Sequence, residues 1–213
     1  MTNKELVDFL KSQNFDGGTV DKLKVVYRPY ICPFVELLQF VKPNDSVFDI
    51  GCGSGQFALL VANFTKAKSI SGIEISESLI NNAIQLFKNR QIIIDYTFNK
   101  YDGKNLPDQI AQHDLIFMID VLHHIPKSEQ IDFLTQLYTK MSVGSRLIIK
   151  DIDADSVFVY ANKLHDKLLS TDGGNEISLK SAIESFKKIG FEIIETSKKL
   201  MFWYPHYTIV AKK

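Results

Sequence analysis

Apolar positions along this chain keep two rhythms, one of helices and one of strands. Leu6, Phe9 and Leu10 fall on one face of a short helix, which "NFDGG" breaks. "ICPFVELLQFV" carries a second helical stripe that stops near Pro43. Ser46 to Ile50 has the composition of a strand, and a glycine turn joins it to a helix running to about Phe64. "KSISGIEIS" predicts a strand ending at Glu74, and "SESLINNAIQLFKN" a helix with acids in its first turn. "IIIDYTF" and "HDLIFMID" are two further strands. A helix from about Lys127 to Lys140 and a strand in "GSRLIIKDI" complete the alternation. Strands alternating with helices imply an α/β fold, a doubly wound and mostly parallel sheet with helices on both faces.

The last third breaks the rhythm. Residues Ser156 to Leu169 carry a helical pattern extra to the repeat, and "LKSAIESFKKIG" is a helix closed by Gly190. "FEIIETSKK" and "YTIVAKK" are then two strands separated only by "LMFWYPH". A parallel crossover needs a dozen or more residues, so the last strand must run antiparallel to its neighbour. The sheet is therefore expected to end in an antiparallel hairpin.

Composition narrows the class. The 213 residues are 45% hydrophobic and 23% charged, which supports a full core. Twenty-five basic residues balance 25 acidic ones, so nothing in the global field favours nucleic acid or an anionic membrane. The N-terminus lacks the apolar core of a signal peptide, and no run approaches the ~18 apolar residues of a membrane span. Cys32 and Cys52 are too few for a disulfide framework. These features together suggest a cytoplasmic protein with reduced thiols.

The candidate chemistry starts in "VFDIGCGSGQFALLVA", Val47 to Ala62. A dinucleotide fingerprint requires G-x-G-x-x-G. Here Gly51, Gly53 and Gly55 are followed by Gln56 where that fingerprint needs its third glycine. Asp49 stands two residues before the turn. Glu74 ends the next strand, where an acid reaches ribose hydroxyls. Asp102 follows the third strand in "YDGKNLP", and "DLIFMIDVLHHIP" contains the fourth.

At these residues the sequence resembles the class I S-adenosylmethionine-dependent methyltransferases, from about Val47 to Lys150, with the terminal hairpin agreeing in topology. The resemblance implies a seven-stranded sheet and S-adenosylmethionine as cofactor, leaving as S-adenosylhomocysteine. It implies that Gly51, Gly53 and Gly55, with Cys52 among them, let the backbone approach the cofactor. Asp49 would orient its amino-acid end and Glu74, with Ile75 beside it, the ribose. Asp102 would accept from the adenine amino group, with Tyr101 and Gly103 shaping that pocket, and Ile119 and Asp120 would lie near the methionine moiety. A sulfonium and an ammonium suit acids at strand ends, and a carboxylate suits backbone N–H groups.

One methyltransferase domain is expected over 1–213. Residues 1–45 form a helical lid, 46–150 the cofactor core, 151–190 a helical cover and 191–213 the hairpin. The acceptor is expected beyond the carboxyl ends of the strands. Candidate contacts are Tyr27 and Arg28 from the lid, His124, Asp151, Asn162 from the cover, and Trp203 and Tyr204 from the hairpin. For a hydroxyl acceptor a base is needed, and His165 beside Asp166, or His206, are candidates. His123 and His124 are read as a ring packed under the next helix and a ring at the site rim. Asp120, Asp151 and Asp153 are carboxylates near strand ends, but resemblance to metal-dependent relatives is poor there and no metal is expected. The expected reaction is methylation of a small hydroxylated acceptor, a sugar, a lipid-linked saccharide or a secondary metabolite. The alternatives are an RNA or protein methyltransferase and a non-catalytic cofactor-binding scaffold. The oligomeric state is not legible.

Overall fold

The computed structural model describes residues 1–13, 19–90, 92–155 and 174–213. The helix expected from Ser156 to Leu169, with Tyr160, Asn162, His165 and Asp166, lies outside the described residues. The chain divides into two compact units, Met1–Gly103 and Lys104–Lys213.

The first unit opens with α1 (Asn3–Lys11), where the Thr2 hydroxyl accepts from the Glu5 N–H at 3.2 Å and the Glu5 carboxylate accepts from the Thr2 N–H at 2.6 Å. This reciprocal cap satisfies two otherwise orphaned donors. Helices α2 (Thr19–Tyr27) and α3 (Phe34–Gln39) follow, joined through a 3-10 turn at Arg28–Tyr30. Helix α2 was not among the expected elements, and its Leu23 is exposed. Strand β1 (Ser46–Ile50), α4 (Gln56–Phe64), β2 (Ser69–Glu74), α5 (Glu77–Lys88) and β3 (Asp95–Lys100) complete the unit. β1 pairs with β2 and β2 with β3, all parallel. The third strand starts later than "IIIDYTF" suggests, and Ile93 ahead of it is fully exposed.

The second unit holds β4 (Leu115–Ile119), α6 (Lys127–Lys140), β5 (Arg146–Ile152), α7 (Leu179–Ile189), β6 (Glu192–Met201) and β7 (Tyr204–Lys212). β4 and β5 are parallel, whereas β7 runs antiparallel to both β5 and β6. The seven strands form one sheet in the order β3-β2-β1-β4-β5-β7-β6. Every residue of β4 is buried, as a two-sided parallel strand requires. The edge strand β6 is exposed over most of its length and carries Glu192, Glu195, Lys198 and Lys199. Charges of this kind discourage edge-to-edge pairing with other chains.

"LMFWYPH" is shorter as a connection than its composition suggests. Leu200 pairs with Pro205 and Met201 with Tyr204, leaving a two-residue turn at Phe202–Trp203. Phe202 closes it with φ of 56°, a conformation that normally favours glycine. His206 thus lies in β7 rather than in a loop.

One glycine positions the first unit's loop. A Cβ built on Gly72 of β2 would stand 2.8 Å from both Cβ and Sγ of Cys52 and 3.0 Å from Phe98 Cδ1. Gly72→Ala is therefore expected to lower stability by about 1–3 kcal/mol, the usual cost of overpacking. Urea denaturation checks this, and an unchanged midpoint would show that the Cys52 turn yields freely.

Candidate active site

The turn after β1 is built from left-handed backbone. Gly51, Gly53 and Gly55 have φ of 74°, 54° and 78°. The N–H groups of Gly51 and Cys52 both donate to the Ile73 carbonyl on β2, at 2.8 and 3.1 Å. Gly55 N–H closes back on the Cys52 carbonyl at 3.0 Å, and Gly55 then caps α4. The three glycines serve different ends. A Cβ on Gly55 would meet Ala83 Cβ of α5 at 3.0 Å, so this glycine permits close helix packing. A Cβ on Gly53 would meet nothing within 4 Å, so the backbone there stands open to a ligand. Cys52 is buried against Gly72, and burial raises its thiol far above its ordinary range, which leaves it inert.

Around the open glycine stand acids. Glu74 is half-buried at the end of β2, its carboxylate accepting from Gly53 N–H at 3.2 Å and Ser76 N–H at 3.0 Å. Asp49, facing Gly72 across β1 and β2, is buried. Burial pushes its carboxyl up to about 7; the Arg28 guanidinium pulls it down and Glu74 adds to the rise. Tyr101 follows β3, with its N–H on the Glu74 carbonyl at 3.1 Å. Burial, then Glu74 and Asp102, raise its phenol. Exposed Asp102 and Gly103 come next, and a Cβ on Gly103 would touch Ile75 Cγ2 at 3.5 Å. Asp49, Gly51, Cys52, Gly53, Gly55, Glu74, Ile75, Tyr101, Asp102 and Gly103 are thus brought to the carboxyl ends of three adjacent strands. Glu74 and Asp102 bring carboxyl groups to this end, which fits a ligand with cationic groups. The residues present therefore suit S-adenosylmethionine.

The segment before β1 contributes Arg28, whose guanidinium carbon lies 5.5 Å above the Phe34 ring. Tyr27 is exposed, its ring 6.4 Å from that of Tyr30 in a near-parallel stack. The Gln56 side chain donates to the Val25 carbonyl and ties α2 to the first turn of α4.

In the second unit, β4 ends at buried Ile119, and Asp120 adopts φ of 58°. Asp120 N–H donates to the Lys150 carbonyl at 2.8 Å, and its carboxylate pairs with the Lys150 ammonium, which is fully buried on β5. The 3-10 turn Leu122–His124 follows. His123 does more than pack beneath a helix. Its Nδ1 lies 2.6 Å from Asp151 Oδ1, and its backbone N–H donates to Asp151 Oδ2 at 3.2 Å. Burial works to lower the His123 pKa, but the charge and hydrogen bond of Asp151, helped by Asp120 and opposed by Lys150, leave it raised. His124 is exposed, its ring 4.1 Å from that of His123.

The β7 register brings hairpin residues to the same edge. Tyr207 faces Asp151 and His206 faces Ile152. His206 is buried and its ring stacks parallel to Tyr204 at 6.2 Å, while Trp203 is half-exposed. Asp153 pairs with Lys198 at 2.5 Å and accepts from Leu179 N–H at 3.2 Å. Asp153, Lys198, Leu200, Pro205 and His206 line a cleft of ≈ 280 Å³. Among the described residues no three His, Cys, Asp or Glu side chains are grouped to hold a metal ion. Asn162, His165 and Asp166 lie outside the described residues. Sequence reasoning passed over Gly72, Lys150 and the His123–Asp151 contact. A lysine within the apolar run "LIIKDI" was a usable signal for the second.

Comparison with known proteins identifies the family and the fold. A family model described as a methyltransferase domain matches residues 41–197. The chain is 23% identical over 152 residues to a carboxy-S-adenosyl-L-methionine synthase of Campylobacter fetus, covering 65% of this chain and 63% of that one. It is 25% identical over 150 residues to 27-O-demethylrifamycin SV methyltransferase of Amycolatopsis mediterranei, covering 69% and 54%. The chain thus spans somewhat over half the length of these curated relatives. The crystal structure of magnesium protoporphyrin IX methyltransferase from Synechocystis with bound SAH superposes with a TM-score of 0.72 at 18% identity, covering 98% of this chain and 93% of that one.

Asp49 generates a signed pH effect. Its carboxyl is pushed to about 7 in the folded chain, against an ordinary 3.8. Between those values the folded state holds the extra proton, so Asp49's contribution to stability is lost as pH rises towards 7. Asp49→Asn should remove that loss, and its advantage over the wild type should grow by about 1–3 kcal/mol from pH 5 to pH 8. Urea denaturation at both pH values decides it; a pH-independent difference would mean Asp49 titrates normally.

Proposed function

From its membership of the class I S-adenosylmethionine-dependent methyltransferases, to which this chain belongs, we propose that it methylates a small hydroxylated acceptor. The observation that carries the reading is the open backbone at Gly53 beside the carboxyls of Asp49 and Glu74. Gly51 and Gly53 would cradle the cofactor's amino-acid end, Asp49 would face its ammonium, and Glu74 would hold the ribose hydroxyls. Asp102 would accept from the adenine amino group, next to Tyr101 and Gly103. When bound, the cofactor supplies an electrophilic methyl group, and the C–S bond pair stays on sulfur as the acceptor oxygen gains the methyl. The protein's part is alignment and removal of the acceptor's proton.

Several features support a small polar acceptor. Formal net charge is zero, which gives a phosphate backbone no attraction. The cleft beside β7 suits a small molecule and offers both an acid and a base. The Amycolatopsis relative is named for a small-molecule acceptor methylated at oxygen. His124, Asp151, Trp203 and Tyr204 of the second unit are the proposed acceptor contacts. Among the described residues no helix is long and apolar enough to cross a membrane.

Incubation with methyl-labelled S-adenosylmethionine and fractionated cell extract tests the reading. Label is expected in a small-molecule fraction; label in RNA or protein would replace this acceptor class. Glu74→Ala should weaken S-adenosylhomocysteine binding by about 1–3 kcal/mol through lost hydrogen bonds. Unchanged affinity by calorimetry would remove Glu74 from the site.

A further inference from the structure

The β6–β7 hairpin ends in a feature that folding alone does not require. Its two-residue turn is Phe202–Trp203, and Phe202 stands there at φ of 56°. Glycine is the ordinary choice at that first central position of a hairpin turn, and a bulky side chain is strained. Packing returns nothing for the strain, because Phe202 is 66% exposed and Trp203 48%. Leu200, two residues before the turn, is exposed as well. The rings continue inward from the tip. Phe202 meets Trp203 at 6.0 Å between centroids, Trp203 meets Tyr204 at 5.8 Å, and Tyr204 stacks on buried His206 at 6.2 Å. His206 lines the cleft beside β7 together with Asp153, Asp155, Lys198 and Lys199. An aromatic path therefore runs from the exposed tip to the cleft, all of it within the second unit.

We propose that the Phe202–Trp203 tip docks into the surface of a zwitterionic phospholipid bilayer, and that the acceptor met by the adjacent cleft is a hydroxyl carried on a lipid. The acceptor half of this inference rests on the function proposed above. Aromatic side chains favour the membrane–water interface, where an apolar ring lies beside polar headgroups. The charges at the cleft suit a zwitterion. Lys198 and Lys199 match a phosphate, while Asp153 and Asp155 match an ammonium, which also rests well on an aromatic face. These charges balance each other, and the formal net charge of the chain is zero, so an anionic surface exerts no net pull. The tip is too small for a protein partner, since stable protein interfaces bury about 1,200–2,000 Å². Strand addition along β6 is discouraged by the charges that strand carries.

Trp203 is the one tryptophan of the chain, so the fluorescence of the full-length protein reports on the tip alone. With phosphatidylcholine vesicles its emission should move to shorter wavelength, lipids brominated in their acyl chains should quench it, and added salt should change neither. Phe202→Gly places in the turn a residue that accepts positive φ. Its urea midpoint should stay at or above that of the wild type, while its affinity for the vesicles falls about tenfold through the lost ring. Methyl label from the extract assay should enter lipid within the small-molecule fraction. Docking is overturned by an unmoved emission, by binding that needs anionic lipid or vanishes in salt, by the same shift from self-association without vesicles, or by unaltered vesicle affinity in Phe202→Gly. Label confined to water-soluble compounds overturns the lipid-borne acceptor. Each of these leaves the methyltransferase reading standing. A protein that labels no fraction overturns that reading and the acceptor named here, whereas the vesicle measurements still decide the docking.

Discussion

The first unit of this protein hangs on how tightly the glycine turn is pressed onto β2. The Ile73 carbonyl takes two hydrogen bonds from consecutive residues of the turn. That approach requires the strand to present no side chain at Gly72, where Cys52 lies flat against it. Once the turn is seated, Gly55 lets α5 close in from the other side and Gly53 is left facing outward. The exposed backbone and the two acids near it are consequences of packing decisions made below them.

The two halves treat charge differently. At the ends of β1 to β3, Arg28 is the cation that offsets the acids around Asp49. In the second unit three acids near strand ends have partners of their own: Asp120 with Lys150, Asp151 with His123, Asp153 with Lys198. Each pair has one buried member, for which desolvation offsets much of the attraction, and removing its partner leaves a stranded charge. Their value here is geometric, since each pair fixes a side chain at the carboxyl edge of the sheet.

Much of this was legible in the amino-acid pattern because it rests on local signals. The alternation from Ser46 to Ile152 is set by apolar periodicity, and the antiparallel ending follows from the shortness of one connection. The acids at the ends of β1 to β3 could be placed there because strand ends are visible in sequence. The His123–Asp151 contact was not, since it joins residues 28 positions apart and depends on how β4 and β5 register. Helix α2, Thr19–Tyr27, was passed over although it directly follows the "NFDGG" break. The hairpin turn was hidden because Phe202 adopts a backbone conformation that composition assigns to glycine. The functional difference between Gly53 and Gly55 likewise depends on what stands across from each, which spacing does not encode.

The place of β7 between β5 and β6 has a bearing on how the chain folds. Strand β6 is synthesised before β7, yet β7 is its partner in the sheet, and β5 also receives β7 on that side. Neither strand finds that partner until β7 arrives. Until then β5 presents an unsatisfied apolar edge, the kind of surface that invites chaperone capture or misassociation. The parallel pairs β1–β2 and β4–β5 are free to form while the chain is still emerging, whereas closure of the sheet is a late, long-range event. Residues Tyr204 to Lys212, apart from any contact with an acceptor, thus set the moment at which the edge carrying Asp151 acquires its final shape.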